Sequence, residues 1–366
     1  MIDPANLLET LVSIPSVSGS EQAITDRLWE LLAAEGIQAR RTRGNLHFEL
    51  GGRGPRLLLV SHLDTVPPGE GWSADPLKPW WAGQRLFGLG ANDAKGCVAA
   101  MVLAALALKG RGADPGARFV FAFTTGEEVG GKGIQELLPE LGALDAAVVG
   151  EPTGLTVCTA QRGMLILRCT ARGTSAHVAH AHLGENAVHK AARDIARLDA
   201  MRFEPHLLLG EARAQVTQVG GGRAKNQVPD LCEFMVDVRS TPNLDHASLT
   251  QRIAAELESE VEVFSDRYRP VATGPEEPVV RAALAAAGTQ GGTGSSTASD
   301  WAHLGGLPAV KAGPGDTYRS HRPDEWLSLG ELRAGAAFYE KLSLTYARMA
   351  CQPNNTWTHS LEAHHG

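Results

Sequence analysis

The five cysteines, Cys97, Cys158, Cys169, Cys232 and Cys351, include no CxxC pair. Scattered thiols of this kind read as reduced side chains in a cytosolic compartment, not as a disulfide framework. No basic block stands out, and the 41 acidic residues outnumber the 34 basic ones. Nucleic acid and anionic membranes are thereby excluded as main partners. The longest helical apolar run, Cys97 to Leu108, is Ala-rich and too short to span a bilayer. Met1-Ile2-Asp3-Pro4 lacks a basic stretch leading into an apolar core, so no signal peptide is expected. Gly88-x-Gly90…Lys95-Gly96 satisfies neither GxxxxGK[ST] nor GxGxxG, which argues against a phosphate cradle.

At 366 residues the chain exceeds one typical core, so about two domains are expected. Its 43% hydrophobic and 20% charged residues match an ordinary soluble globular protein. Leu57-Leu58-Leu59-Val60-Ser61 is a short apolar run that empties into His62-Leu63-Asp64-Thr65-Val66. Such a run reads as a buried strand, and alternation lets His62 and Asp64 face one spot beyond its end. A neutral imidazole is a zinc ligand, and a nearby carboxylate can fix its tautomer. A lone His-x-Asp serves equally well as an ordinary buried hydrogen bond.

Asp3-Pro4 starts a helix through about Val12. Ser18-Gly19-Ser20-Glu21 resembles a capping box opening a second helix, which Gly36 closes. Pro67 to Gly83, with Trp72, Trp80 and Trp81, is expected as an irregular excursion or hairpin over the site. Cys97 to Lys109 is expected as a helix. Phe119–Phe123 forms a strand ending in Thr124-Thr125-Gly126-Glu127-Glu128, and Ala146–Val149 one ending in Gly150-Glu151-Pro152. Strands alternating with helices indicate a mostly parallel, doubly covered sheet, with ligands beyond the strands' carboxyl ends. His62, Glu127/Glu128 and Glu151 each fall at such an end, so separate strands deliver metal-type ligands to one rim.

After Thr153 the texture changes. Strands are expected at Leu155–Thr159, Met164–Ala171, Ala214–Val219 and Leu231–Val238, with helices near Glu185–Leu198 and Ala247–Glu258. This pattern fits a small inserted α+β sandwich. The chain then returns through a helix at Glu277–Ala287, a strand at Ala309–Ala312 and a closing helix at Leu329–Met349. The expected division is a discontinuous catalytic domain, 1–153 and 268–350, an inserted lid over 154–267, and a loose tail over 351–366. The Asn354-Asn355-Thr356 sequon in that tail means nothing in a cytosolic protein.

Asp93, among glycines at a helix start, suits a carboxylate reaching between two cations roughly 3.5–4 Å apart. In Glu127-Glu128 one carboxylate can ligate while its neighbour takes a proton from metal-bound water. Plainer alternatives stay open at this point. The doublet can be two solvated charges, Glu151 a turn residue, His321 a surface histidine and His177 a hydrogen-bonded loop residue. Asn226 and Arg239 can be exposed structural residues.

Together the motifs resemble the di-zinc amidohydrolase family of acetylornithine deacetylase, succinyl-diaminopimelate desuccinylase, aminoacylases and related carboxypeptidases. The resemblance runs from Leu7 to Leu342 and rests on Ser61–Val66, Gly88–Gly96, Thr125–Glu128, Gly150–Thr153 and the His321 loop. It implies an α/β catalytic domain with a mostly parallel, zinc-peptidase-like sheet, and a ferredoxin-like α+β sandwich as lid and dimerisation domain. It implies two Zn2+, with Co2+ able to substitute: His62, Asp93 and Glu151 on one, Glu128, Asp93 and His321 on the other. Asp64 would orient His62, and Glu127 would be the general base that activates bridging water and then protonates the leaving amine.

Ser175-Ala176-His177-Val178-Ala179 matches the family's lid motif. It implies that His177 of the partner subunit stabilises the oxyanion, in a homodimer formed through the lid. Asn226, Arg239 and Gly313 would contact substrate, the guanidinium gripping a carboxylate bidentately. The implied substrate is a small N-acyl amino acid, acetylornithine-type first, then acetylcitrulline or acetyl-lysine. Succinyl-diaminopimelate and dipeptides are the alternatives. Asn92-Asp93-Ala94-Lys95, where Asp-Met-Lys is commoner, bears on the substrate subtype. A non-catalytic binding protein would have lost some of these residues, and a dinucleotide oxidoreductase would need GxGxxG after the first strand.

Overall fold

The computed structural model describes residues 2–112 and 114–351. The expected tail beyond Cys351, with its sequon, lies outside the described residues. The strand Arg56–His62, buried from Leu57 onward, forms the middle of the main sheet. It pairs in parallel with Arg118–Thr124 on one side and Ala146–Val149 on the other. Ala309–Lys311 continues the parallel run beside Ala146–Val149. Arg40–Thr42 and Asn45–Leu50 add antiparallel strands at one edge. Cys158–Gln161, Val271–Ala272 and Thr293–Ser295 complete nine strands at the other. The sheet is therefore mixed, with a parallel centre. A connection as short as the one between Thr42 and Asn45 can join only antiparallel strands.

Helix Lys95–Gly110 buries Val98, Ala99, Met101, Val102 and Ala105 against the sheet and the long helix Leu329–Ala350. Continuous small apolar residues suit an element covered on all sides. Pro4–Val12 begins as expected, the Asp3 carboxylate accepting from Asn6 N at 3.0 Å. Ser328 and Glu331 cap the closing helix reciprocally. No described helix is long and apolar enough to cross a membrane.

The inserted layer is a separate antiparallel sheet in the order Arg213–Gly221, Leu231–Ser240, Gly163–Arg172, Glu260–Tyr268. Helices Ala187–Ala200 and His246–Glu256 pack on it, with Leu165, Leu167, Phe234, Val236 and Ile253 among its core. Two details differ from expectation. The strand sought at Leu155–Thr159 is Cys158–Gln161, and it pairs within the main sheet; preceding Val157 joins the main core. The strand Glu260–Tyr268, at an exposed edge and rich in charge, was not anticipated.

The excursion after Pro67 ends in a hairpin, Trp80–Ala82 with Arg85–Phe87, to which Trp326–Ser328 adds a third strand. This small sheet anchors the His321 loop. The expected capping box at Ser18–Glu21 does not form, and Gln22–Ala34 has no side-chain cap. Ser18 Oγ instead donates to Asp64 Oδ2 at 2.7 Å, and Glu21 Oε1 accepts from Gly126 N at 3.0 Å. Both residues support the site.

Candidate metal centre

Parallel register fixes the rim. His62 stands level with Thr124, Val60 with Val149, and Val149 with Lys311. The segments that follow these strands therefore emerge side by side, carrying Glu127, Glu128 and Glu151. Two further residues complete the group: Asp93, at the mouth of the buried helix, and His321, from the loop beyond Gly315.

His62 Nε2 lies 3.4 Å from Asp93 Oδ1 and 4.0 Å from Glu151 Oε1. His321 Nε2 lies 2.9 Å from Glu128 Oε1 and 3.8 Å from Asp93 Oδ2. The two oxygens of Asp93 thus face different imidazoles, which is the geometry of a bridging carboxylate. Ligand atoms of His62, Asp93 and Glu151 lie within 4.8 Å of one another, as do those of Asp93, Glu128 and His321. His62, Glu127 and Glu128 form a third such group. Imidazole nitrogen with carboxylate oxygen is a donor set suited to Zn2+ or Co2+.

His62 Nδ1 is 3.0 Å from the Asp64 carbonyl oxygen. A proton held there leaves Nε2 free as a ligand atom. Asp64 therefore orients the ring through its backbone as well as its side chain, whose Oδ1 is 3.5 Å from Nδ1. The Asp64 carboxylate also accepts from the backbone N of Glu127 and of Glu128, each at 3.1 Å. One residue thereby ties the His-x-Asp strand to the acidic doublet. On its far side Glu127 accepts from Tyr268 Oη at its carbonyl, 3.1 Å away.

Charge crowding is severe. Burial raises the Glu127 carboxyl well above its ordinary range, with Glu151, Asp300 and Glu128 adding to the rise and His62 opposing it. Burial likewise pushes Glu151 up to about 8, with Lys311 opposing and Asp93 adding. Burial alone would lower His62, but Asp64, Asp93 and Glu151 outweigh it and hold the imidazole well above its ordinary value. The Glu128 hydrogen bond raises His321 to about 9. Asp64, despite burial, is held at about 2 by His62, Ser18 and the Glu127 amide. Buried carboxylates packed this closely retain protons unless cations replace them.

A cavity of ≈ 480 Å³ opens here, lined by Asp93, Glu127, Glu128, Glu151 and His321 on one side. His177, Asn226 and Arg239 do not line it. His177 begins the turn Val178–Leu183, and its neighbour across the loop is Gln227, next to Asn226. Arg239 holds Asp237 at 2.8 and 3.1 Å. Gly313 also does not line the cavity. A Cβ there would meet Cys97 Sγ, Tyr339 Oη and the Glu151 carbonyl at 2.6, 2.6 and 2.7 Å, and its N–H already donates to Thr153 Oγ1. Gly313 packs beneath Glu151.

Several supporting residues escaped the sequence. Glu325 accepts from the backbone N of Gly90, Asn92 and Asp93 at 3.1, 2.8 and 2.8 Å. The Gly-rich turn is thus an anion nest after all, filled by the chain's own carboxylate. Tyr268 offered no periodicity or spacing to find it, and the spacing of Ser18 and Glu21 pointed to a helix cap instead. Lys311 offered a signal, as a charge ending an apolar strand at the same rim.

A central parallel sheet with paired His-carboxylate groups beyond its strand ends defines a metal-dependent hydrolase. The chain belongs to Peptidase family M20/M25/M40, matching it over residues 58–345. As a member it is an amide hydrolase. It is 32% identical to a succinyl-diaminopimelate desuccinylase of Sphingopyxis alaskensis, over 72% of this chain and 75% of that one. It is 30% identical to the same enzyme of Acidiphilium cryptum, over 93% and 97%. The fold is similar to that of a dinuclear metal binding peptidase of the family from Bacillus subtilis. There the TM-score is 0.76 at 18% identity, covering 94% of this chain and 98% of that one.

Proposed function

We propose that the protein hydrolyses the amide bond of an N-succinyl amino acid of the succinyl-diaminopimelate type, a step in lysine biosynthesis. This replaces the acetylornithine-type first expectation, because both relatives bear the desuccinylase name. The observation that carries the hydrolytic reading is Asp93, one oxygen toward His62 and the other toward His321.

His62, Asp93 and Glu151 would hold one Zn2+, and Asp93, Glu128 and His321 the other, with Co2+ as a substitute. Bound there, the cations lower the pKa of water and polarise the scissile carbonyl. Glu127 borders both groups and is 8% exposed. It takes the proton of the attacking water and returns it to the leaving nitrogen. Asp64 and Tyr268 hold its backbone from opposite sides, so its reach is set before substrate arrives. Asn226 and Arg239 act from the lid on the substrate carboxylate, and His177 of the partner subunit acts on the developing oxyanion. A homodimer through the lid has support in the inserted sheet. Its edge strand Arg213–Gly221 leaves Val219 63% exposed, and the turn Val178–Leu183 leaves Leu183 68% exposed. Five unpaired cysteines suit a cytoplasmic setting.

The test is a hydrolysis panel on zinc- and cobalt-loaded protein: succinyl-diaminopimelate, acetylornithine, acetylcitrulline, acetyl-lysine, acetylglutamate and a dipeptide. The succinyl substrate is expected to give the highest kcat/KM, abolished by a chelator and restored by metal. An acetyl substrate or the dipeptide in first place would overturn the substrate, and chelator-resistant turnover the chemistry.

A further inference from the structure

The wall of the cavity facing the carboxylates differs from them in chemistry. Thr153, Thr293, Ser295, Ser296 and Thr297 present hydroxyls, and Lys311 carries the only ammonium or guanidinium among the described residues lining the space. Lys311 is 2% exposed. Its Nζ donates to Thr297 O at 3.1 Å and Thr297 Oγ1 at 2.8 Å, both neutral acceptors, and it forms no ion pair among the described residues. Glu151 meets its charge only through space. An ammonium has three donors, so one is left over. Burying an ammonium without a charged partner is unfavourable, and an arriving anion offsets that cost. Arg239, proposed to act from the lid, does not line this space and pairs with Asp237, so a carboxylate inside the cavity needs a different cation.

We propose that Lys311, anchored by Thr297 and flanked by the hydroxyl wall, is the seat for a substrate carboxylate inside the cavity. It thereby selects charged acyl amino acids over neutral ones. A succinyl group ends in such a carboxylate and an acetyl group does not; the amino-acid portion carries one of its own. The seat rests on the hydrolase reading for its consequence in turnover, but not for its binding.

Lys311→Gln and Lys311→Met are compared with wild type as metal-loaded proteins, and Lys311→Arg tests rescue. The kcat/KM ratio of an N-succinyl over an N-acetyl derivative of one amino acid is expected to fall about tenfold or more in the first two and to recover in the third. The ratio of that amino acid's acyl derivative over its α-amide reads the other source. A fall there instead assigns the seat to the leaving portion. Calorimetry with succinate gives a readout without turnover: its Kd is expected to rise by a similar factor. Thr297→Val, at an exposed position, loosens the ammonium without removing charge and decides the matter through the same ratios if the Lys311 variants do not fold. Unchanged ratios together with an unchanged succinate Kd overturn the seat. If wild type cleaves neither substrate, the hydrolase reading has failed, and succinate binding still decides Lys311.

Discussion

Glu127 and Glu128 are adjacent in sequence, yet only Glu128 lies against His321, while Glu127 is buried beside His62. The division of labour proposed for them follows from direction, not from residue type. Glu127→Gln keeps size and removes the basic oxygen. Turnover is expected to fall by about 10²–10⁴-fold with metal content near two per chain. Metal loss instead, read by elemental analysis, would exchange its role with that of Glu128. Glu325 works one layer back. Removing its carboxylate in Glu325→Ala leaves three N–H groups around Asp93 unpaired. A loss of about 3 kcal/mol in urea unfolding is expected, with metal affinity weaker by roughly tenfold or more as Asp93 loses its fixed position.

At the scale of elements, the turn after Arg118–Thr124 is the piece under most control. Glu21 holds its Gly126 amide, Asp64 the amides of the doublet, and Tyr268 the Glu127 carbonyl. Tyr268 comes from the inserted sheet, so this hydrogen bond also joins the two layers. Tyr268→Phe is expected to cost about 1 kcal/mol of stability. It should lower kcat with metal content intact, whereas a merely structural tyrosine would leave kcat unmoved once the protein is folded. The same turn shows what could be read beforehand. His62, Glu127, Glu128 and Glu151 were legible because each ends a short apolar run, and strand ends share a rim in parallel sheets. Asp93 and His321 were legible through resemblance more than local pattern. Ser18, Glu21, Tyr268 and Glu325 were not, since each acts across 46 to 235 positions of chain. Ser18 and Glu21 looked like a helix cap, a local use that a tertiary one displaced.

For the whole molecule, the histidines outside the metal centre contribute acid sensitivity of one sign. Burial lowers the imidazoles of His47, His206, His246 and His303 below the ordinary 6.5, with an arginine helping at each and carboxylates opposing at His47 and His246. At these four positions the folded chain binds fewer protons than the unfolded one between the lowered values and 6.5. Their stabilisation is complete above that pH and is lost as pH falls through the lowered values. The raised Glu127, Glu151, His62 and His321 carry the opposite sign, so what should decline in urea midpoints from pH 7.5 to 5 is the contribution of these four histidines. His246 hydrogen-bonds Ser240 at 2.8 Å while its Nδ1 stays buried without a partner. Replacing it with Gln should flatten the decline, and an unchanged slope would remove His246 from the account.

The Asp93 arrangement joins a histidine at position 62 to one at position 321. On a ribosome, a nascent polypeptide that had emerged only as far as Lys311 would already own one complete trio, and could not own the second. Hydrolytic competence therefore waits on the last-made loop and the small three-stranded clamp that seats it.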